Sequence, residues 1–174
     1  ESSSLFPGMR TFRSRLHTGD LLIGAAVTFN DPLVSEALSD SVDFLWYDLE
    51  HVKIDPSALN AHLMAARGRE TATIVRVGGV GADEVKPVLD AGAEGLVAPQ
   101  VTDVAQVEEF VSHCRYPPQG RRGLGPRVPT NYGRTGGPDH FRQANDTVFV
   151  SVMIETREAV EAIDAIVRVP GLDS

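Results

Sequence analysis

The sequence predicts an α/β domain built on a parallel sheet. Three observations carry that prediction. Short apolar runs alternate five times with segments of helical periodicity. Each strand-plus-helix unit fills roughly 20–30 residues, enough for a strand, a turn and a crossover helix. The apolar runs end in polar residues, although parallel strands are otherwise apolar.

Leu21–Phe29 reads as the first strand. Asp31-Pro32 then opens a helix with Leu33, Val34, Ala37 and Leu38 at helical spacing. Val42–Asp48 is strand two. Asp55-Pro56 caps the second helix, which runs through Leu59, Leu63 and Ala66 and ends at Gly68. Thr71–Val77 is strand three. The third helix groups Val85, Val88 and Leu89 on one face and stops at Gly92. Gly95–Val101 is strand four. Asp103 with Gln106 makes a capping-box start for the fourth helix, whose stripe is Val104, Val107 and Val111. Val148–Ile154 is strand five. The fifth helix carries Val160, Ile163 and Val167 and stops at Pro170-Gly171. Between helix four and strand five, residues 117–139 form a polar loop rich in Gly, Pro and Arg. A loop this long in a compact α/β domain is usually functional.

The 174 residues fit one domain, 1–174. Two architectures accommodate the pattern: an open doubly wound sheet, or part of a (β/α)8 TIM barrel, which typically needs about 250 residues. Gly171-Leu-Asp-Ser174 reads as the start of a sixth strand. We therefore expect a TIM barrel truncated after about five βα units, with strands six to eight missing. A natural end at that point would leave two exposed sheet edges and half a core.

Composition bounds the function. No apolar stretch approaches the roughly 18 residues of a membrane span, and Glu1–Gly8 lacks the basic and apolar regions of a signal peptide. A net charge of −8 argues against nucleic acid or an anionic membrane as partner. It leaves room for an anionic small molecule, because a few local arginines override the global sign. One cysteine, Cys114, allows no disulfide within the sequence and fits a reducing, cytoplasmic compartment. Nothing nearby would lower its pKa, so it reads as a buried helix residue and not as a nucleophile.

The most informative stretch is Phe44-Leu-Trp-Tyr-Asp-Leu-Glu-His51. An apolar strand that ends in Asp48, Glu50 and His51 sets titratable groups at the mouth of a core, where barrel enzymes do chemistry. Other strands end likewise: Arg76 on strand three, Gln100 on strand four, Glu155 on strand five. Glu155 reads equally as a ligand for a hard divalent cation or as a glutamate favoured by a helix N-terminus. Arg76 lies inside an apolar strand, so it needs an anion, either a neighbouring acid or a substrate carboxylate or oxyanion. His51 suits a general base but also a solvated loop. Asp90, beside a helix-ending glycine, reads from the sequence as structural. Trp46 is a core residue or a pocket wall. Arg121-Arg122, with Arg115 and Arg127, meets either an anionic substrate or a structural or subunit partner. His17, His62, His113 and His140 lack carboxylates in register and read as structural.

Taken together, these residues resemble the HpcH/HpaI aldolase family of the phosphoenolpyruvate/pyruvate barrel superfamily. The matching segments are Asp48-Leu-Glu-His51, Ile74-Val-Arg76, Leu89-Asp-Ala-Gly92, Val97-Ala-Pro99, Cys114 through Gly123, and Ile154-Glu-Thr156 followed by Ala159. Trp46-Tyr-Asp48 and Gly125-Pro-Arg127 also look like macrophomate synthase. The resemblance implies a class II, metal-dependent carbon–carbon lyase. It would cleave a 4-hydroxy-2-oxo acid to pyruvate and an aldehyde through an enolate. Oxaloacetate decarboxylation or enolate coupling, as in macrophomate synthase, is the alternative, and a non-catalytic binding domain is another. The resemblance makes Glu155 a ligand of Mg²⁺, or of Mn²⁺ or Co²⁺. It makes His51 the base, Asp90 the group that raises its basicity, Asp48 a member of that network, and Arg76 the residue that binds the 2-oxo acid. Trp46 and Met153 would touch substrate, Met153 standing where the family often has glutamine. The family's second metal ligand, an aspartate after strand six, is beyond residue 174. The resemblance further implies a homo-oligomer, a hexamer, at full length.

Overall fold

The computed structural model describes residues 10–125, 127–135 and 137–174. The expectation for Glu1–Gly8 therefore lies outside the described residues. A first helix, α1 (Phe12–His17), precedes the sheet. Five strands follow: β1 (Gly24–Val27), β2 (Phe44–Asp48), β3 (Ala72–Arg76), β4 (Gly95–Ala98) and β5 (Phe149–Val152). All pair in parallel, in the order β1-β2-β3-β4-β5. A doubly wound sheet reverses its strand order part-way. An unbroken order is that of a barrel wall, and the architecture is the α/β barrel expected, through five units. At the end of the chain, the Asp173 N–H donates to Val150 O (2.8 Å) and the Val152 N–H to Ser174 O (3.0 Å). These bonds continue the parallel ladder as a sixth strand would.

The crossover helices are α2 (Leu33–Leu38), α3 (Pro56–Ala66), α4 (Ala82–Ala91) and α5 (Val104–Cys114). Asp55 caps α3 by accepting from the Ser57 and Ala58 N–H groups. Asp103 caps α5 through the Gln106 N–H, and the Gln106 side chain reaches back to the Thr102 N–H (3.0 Å). Strand side chains alternate between two layers. Leu45, Tyr47, Val75, Leu96 and Val150 face the helices and form the larger core. Phe44, Trp46, Ala72, Ile74, Val97, Phe149 and Met153 share the inner layer. Phe12 of α1 plugs that layer from the strand-start end, edge-on to Phe44 and Phe149 at 5.3 and 5.0 Å. Gly95 is required there: a Cβ would lie 2.7 Å from Ile74 Cδ1 and 3.0 Å from Phe149 Cβ.

Several expectations change. The strands are shorter than the apolar runs, and Leu21 and Phe29 of the first run are largely exposed. Helix five breaks at Ala162 into α7 (Arg157–Glu161) and α8 (Ile163–Ile166). Its buried residues are Ala159 and Ile166, whereas Val160 and Val167 are 58% and 64% exposed. The buried stripe is displaced by one residue from the valines. The 117–139 loop, expected to be functional, lines the end of the sheet where the strands begin. Arg121 and Arg122 donate backbone N–H bonds to Ser112 and Arg115 O, and Val128 packs under Gly92. Two 3₁₀ turns, Val128–Thr130 and Gly137–Asp139, interrupt it before α6 (His140–Thr147) leads into β5.

Candidate functional site

The site grows from the last inward residue of each strand. In β2 the inward series Phe44, Trp46 ends at Asp48, and in β3 the series Ala72, Ile74 ends at Arg76. The register sets Asp48 opposite Arg76. Their side chains pair through Arg76 Nε to Asp48 Oδ1 at 2.9 Å and through a second bond from Nη2 to Oδ2. Both are only 12% exposed. Asp48 also accepts the N–H groups of Glu50 (2.9 Å) and His51 (3.2 Å), which folds the chain over the strand end. Burial alone would push its carboxyl up. The Arg76 pair and the two backbone donors outweigh that and hold it below the ordinary 3.8.

Glu50 joins the same cation. Its Oε2 is 3.0 Å from Arg76 Nη1, but off the N–H direction, so the contact is an ion pair without a hydrogen bond. Gln100, just beyond β4, donates its side-chain amide to Glu50 Oε1 and its backbone N–H to Glu155 Oε1, both at 2.7 Å. Met153 Sδ lies 3.7 Å from Arg76 Nη1. Thr156 caps α7 through the Ala159 N–H and donates to Val101 O, which anchors the segment bearing Glu155. Four strand ends therefore converge: Asp48 and Glu50, Arg76, Gln100, and Met153 with Glu155. Trp46 is half-buried one inward position below Asp48.

His51 stands at the edge of this network, 68% exposed, with Nε2 3.6 Å from Glu50 Oε2. Asp90 is elsewhere. It sits in the last turn of α4, which runs back toward the strand starts, and it pairs with buried Arg122 at 3.4 Å. No hydrogen bond joins it to His51 among the described residues, so the pair the resemblance implies is not formed within this chain. The nearest carboxylate to the His51 ring is Glu50. The sequence offers Glu50, with Asp48, as a candidate second metal ligand and Gln100 only as a strand-end polar residue; it does not show that the two are bonded to each other. Glu50 follows Asp48 at the strand period, and Gln100 follows Pro99 at a strand end.

Of the remaining candidates, the buried ones have structural partners, and Arg127 is exposed. Arg115 is buried and donates to the carbonyls of Asn145, Val148 and Gly171 and to Asp173. Arg122 stacks 4.6 Å over Tyr116. Only Arg121 of the loop pair is exposed, beside Glu109 and His113. Two histidines expected to lack carboxylates do have them: His17 is 3.3 Å from Asp173, and His113 is 3.5 Å from Glu109. Cys114 is buried and its thiol is pushed up to about 12.

The sequence model of the HpcH/HpaI aldolase/citrate lyase family matches residues 27–174. This chain belongs to that family. It is 37% identical over 164 residues to a hydroxypyruvate/pyruvate aldolase of Roseovarius nubinhibens, covering 94% of this chain and 64% of that one. Among solved structures it resembles citrate synthase SbnG, with a TM-score of 0.82 and 37% identity over 93% of this chain and 62% of the other. It also resembles macrophomate synthase, with a TM-score of 0.81 and 30% identity over 93% and 59%. The chain thus spans about two thirds of the length of the relatives it matches.

For a divalent cation the donor chemistry fits in part. Glu155 is an exposed hard-oxygen donor with one oxygen taken by Gln100. Asp48 and Glu50 are committed to Arg76. Among the described residues no group of three or more His, Cys, Asp or Glu side chains is placed to hold a metal.

Proposed function

We propose that the intact protein is a divalent-metal-dependent carbon–carbon lyase, cleaving a 4-hydroxy-2-oxo acid to pyruvate and an aldehyde. The observation that supports it best is Arg76 at the mouth of β2–β5, flanked by Asp48, Glu50 and Glu155. Glu155 would hold Mg²⁺, with Mn²⁺ and Co²⁺ as substitutes. Such an ion, when bound, supplies Lewis-acid polarisation of the 2-oxo group. Arg76 orients the substrate carboxylate and stabilises charge developing on the enolate oxygen. Asp48 and Glu50 keep the guanidinium aimed along the rim. His51, open to solvent, takes the proton of the 4-hydroxyl directly or through water. Trp46 and Met153 wall the pocket beneath.

Likeness to macrophomate synthase favours a second reading, oxaloacetate decarboxylation with or without coupling of the enolate. Both reactions pass through a pyruvate enolate, so the same arginine serves both. The family resemblance further supports a cytoplasmic homo-oligomer, a hexamer. No described helix is long and apolar enough to cross a membrane. The test is pyruvate release by the intact protein from a 4-hydroxy-2-oxo acid and from oxaloacetate, with Mg²⁺ or Mn²⁺, with EDTA, and with Glu155→Gln. Release abolished by EDTA and by the substitution is expected, and the preferred substrate separates the two readings. Absence of release and of metal binding would leave a non-catalytic binding domain.

A further inference from the structure

We propose that Gln100 is a positioning residue for this site, holding the two carboxylates on either side of Arg76 in a fixed arrangement. The proposal rests on the function given above. Gln100 has φ +52°, a left-handed conformation that non-glycine residues adopt at a cost. It follows β4, and its side chain crosses the rim from there to reach Glu50 at the end of β2. In this conformation its two donors diverge. The backbone N–H reaches Glu155 on the β5 side, and the side-chain amide reaches Glu50 on the β2 side, each at 2.7 Å.

Each bond leaves one carboxylate oxygen uncommitted to Gln100. For Glu50 that oxygen is Oε2, buried, 3.0 Å from Arg76 Nη1 and 3.6 Å from His51 Nε2, without a hydrogen bond of its own. Glu50 Oε2 therefore lies between the groups read as anion clamp and base, and Gln100 decides where it points. The two halves of the clamp separate cleanly. The hold on Glu155 comes from the backbone and survives any side chain. The hold on Glu50 comes from the amide and does not.

The experiment compares Gln100→Leu, Gln100→Gly, Glu50→Ala and the Gln100→Leu/Glu50→Ala double variant in the intact protein. Glycine accepts the left-handed φ without strain, so Gln100→Gly tests the amide even where leucine impairs folding. A charge-assisted hydrogen bond is lost in both Gln100 variants, so kcat for pyruvate release falls about tenfold with KM within about threefold. The Mn²⁺ dissociation constant, measured without substrate, stays within about threefold, because Glu155 keeps its backbone donor. The double variant is no slower than Glu50→Ala, since Gln100 acts through Glu50. Wild-type kcat in both Gln100 variants, multiplicative losses in the double variant, or a parallel loss of Mn²⁺ binding would each overturn the proposal. A wild-type protein that releases no pyruvate would instead refute the lyase reading. In that case the Gln100–Glu50 bond is judged by thermal unfolding of the same four proteins, where additivity refutes it.

Discussion

Replacing Arg76 with methionine keeps an unbranched apolar stem and removes the guanidinium and its charge. Two carboxylates then lose their cation at once. Asp48 loses a bidentate pair and Glu50 its ion pair, and each side chain is only 12% exposed. Stripping one partner from a buried ion pair costs about 3–5 kcal/mol. Asp48 keeps the two N–H donors of Glu50 and His51, and the rim retains some water. The expected loss is therefore at the lower end, about 3 kcal/mol at pH 7. Urea unfolding of the intact protein at fixed concentration measures it as a shift in midpoint at unchanged slope. The pH dependence fixes the cause. Asp48 has a depressed pKa in the folded chain, so its contribution is present above the ordinary value of 3.8 and is lost as pH falls through the folded value. Arg76 supplies much of that depression, so the gap between wild type and variant narrows below about pH 4. Adding Asp48→Asn to Arg76→Met recovers part of the loss. A loss under about 1 kcal/mol at pH 7, or a gap that persists unchanged at pH 3, would refute the ion-pair argument.

Other parts of the molecule make their own predictions. Glu94 lines a cavity of about 370 Å³ at the strand-start end, and crowding by protein pushes its carboxyl up to about 7 from 4.5. A raised carboxyl favours the protonated fold, so stability declines as pH rises from about 4.5 to 7. The side chain also reaches solvent, so Glu94→Gln should gain no more than about 1 kcal/mol at pH 8 and little at pH 4, read from urea midpoints. Arg115→Leu leaves Asp173 buried beside it, with Arg13, His17 and the Val150 N–H as remaining partners. It should cost about 3 kcal/mol or more in the same assay. Gly95→Ala drives a methyl into Ile74 and Phe149 and should lower stability by about 1–3 kcal/mol without altering metal affinity.

The rim was legible because the strand period exposes it. In β2, Phe44, Trp46 and Asp48 alternate with Leu45 and Tyr47, so a polar residue at the end of the inward series stands out. Arg76 stood out for the same reason. The α1 helix was not legible: it has six residues and buries one side chain, Phe12, against rings from β2 and β5. Only the tertiary arrangement reveals that need. Helix five misled because its two valines look like a core stripe, while Ala159 and Ile166 take the buried positions. The long loop drew attention by its length; among its described residues one arginine, Arg122, is buried, and it is bound to Asp90. Glu50 and Gln100 were visible as rim residues. Their partnership depends on a left-handed turn that no local pattern announces.

Asp90 presents the sharpest conflict between resemblance and geometry, and the conflict itself makes a prediction. The resemblance pairs Asp90 with His51. Here His51 follows the end of β2, while Asp90 lies in the last turn of α4, just before the chain re-enters the sheet at Glu94, whose N–H bonds Thr73 O near the start of β3. A five-residue strand alone separates those levels by roughly 13 Å. No rotamer change closes that distance. If both residues serve one reaction, they must meet across a subunit boundary. Inactive His51→Asn and Asp90→Asn proteins, unfolded together and reassembled, would then regain activity. In random pairing, a site is intact when the chain supplying His51 and the chain supplying Asp90 each carry the other's lesion, which gives about one quarter of wild-type activity. Separately refolded controls should stay inactive. No recovery on mixing, with assembly verified by sedimentation, would show that Asp90 serves the fold through Arg122 and that Glu50 is the carboxylate His51 uses.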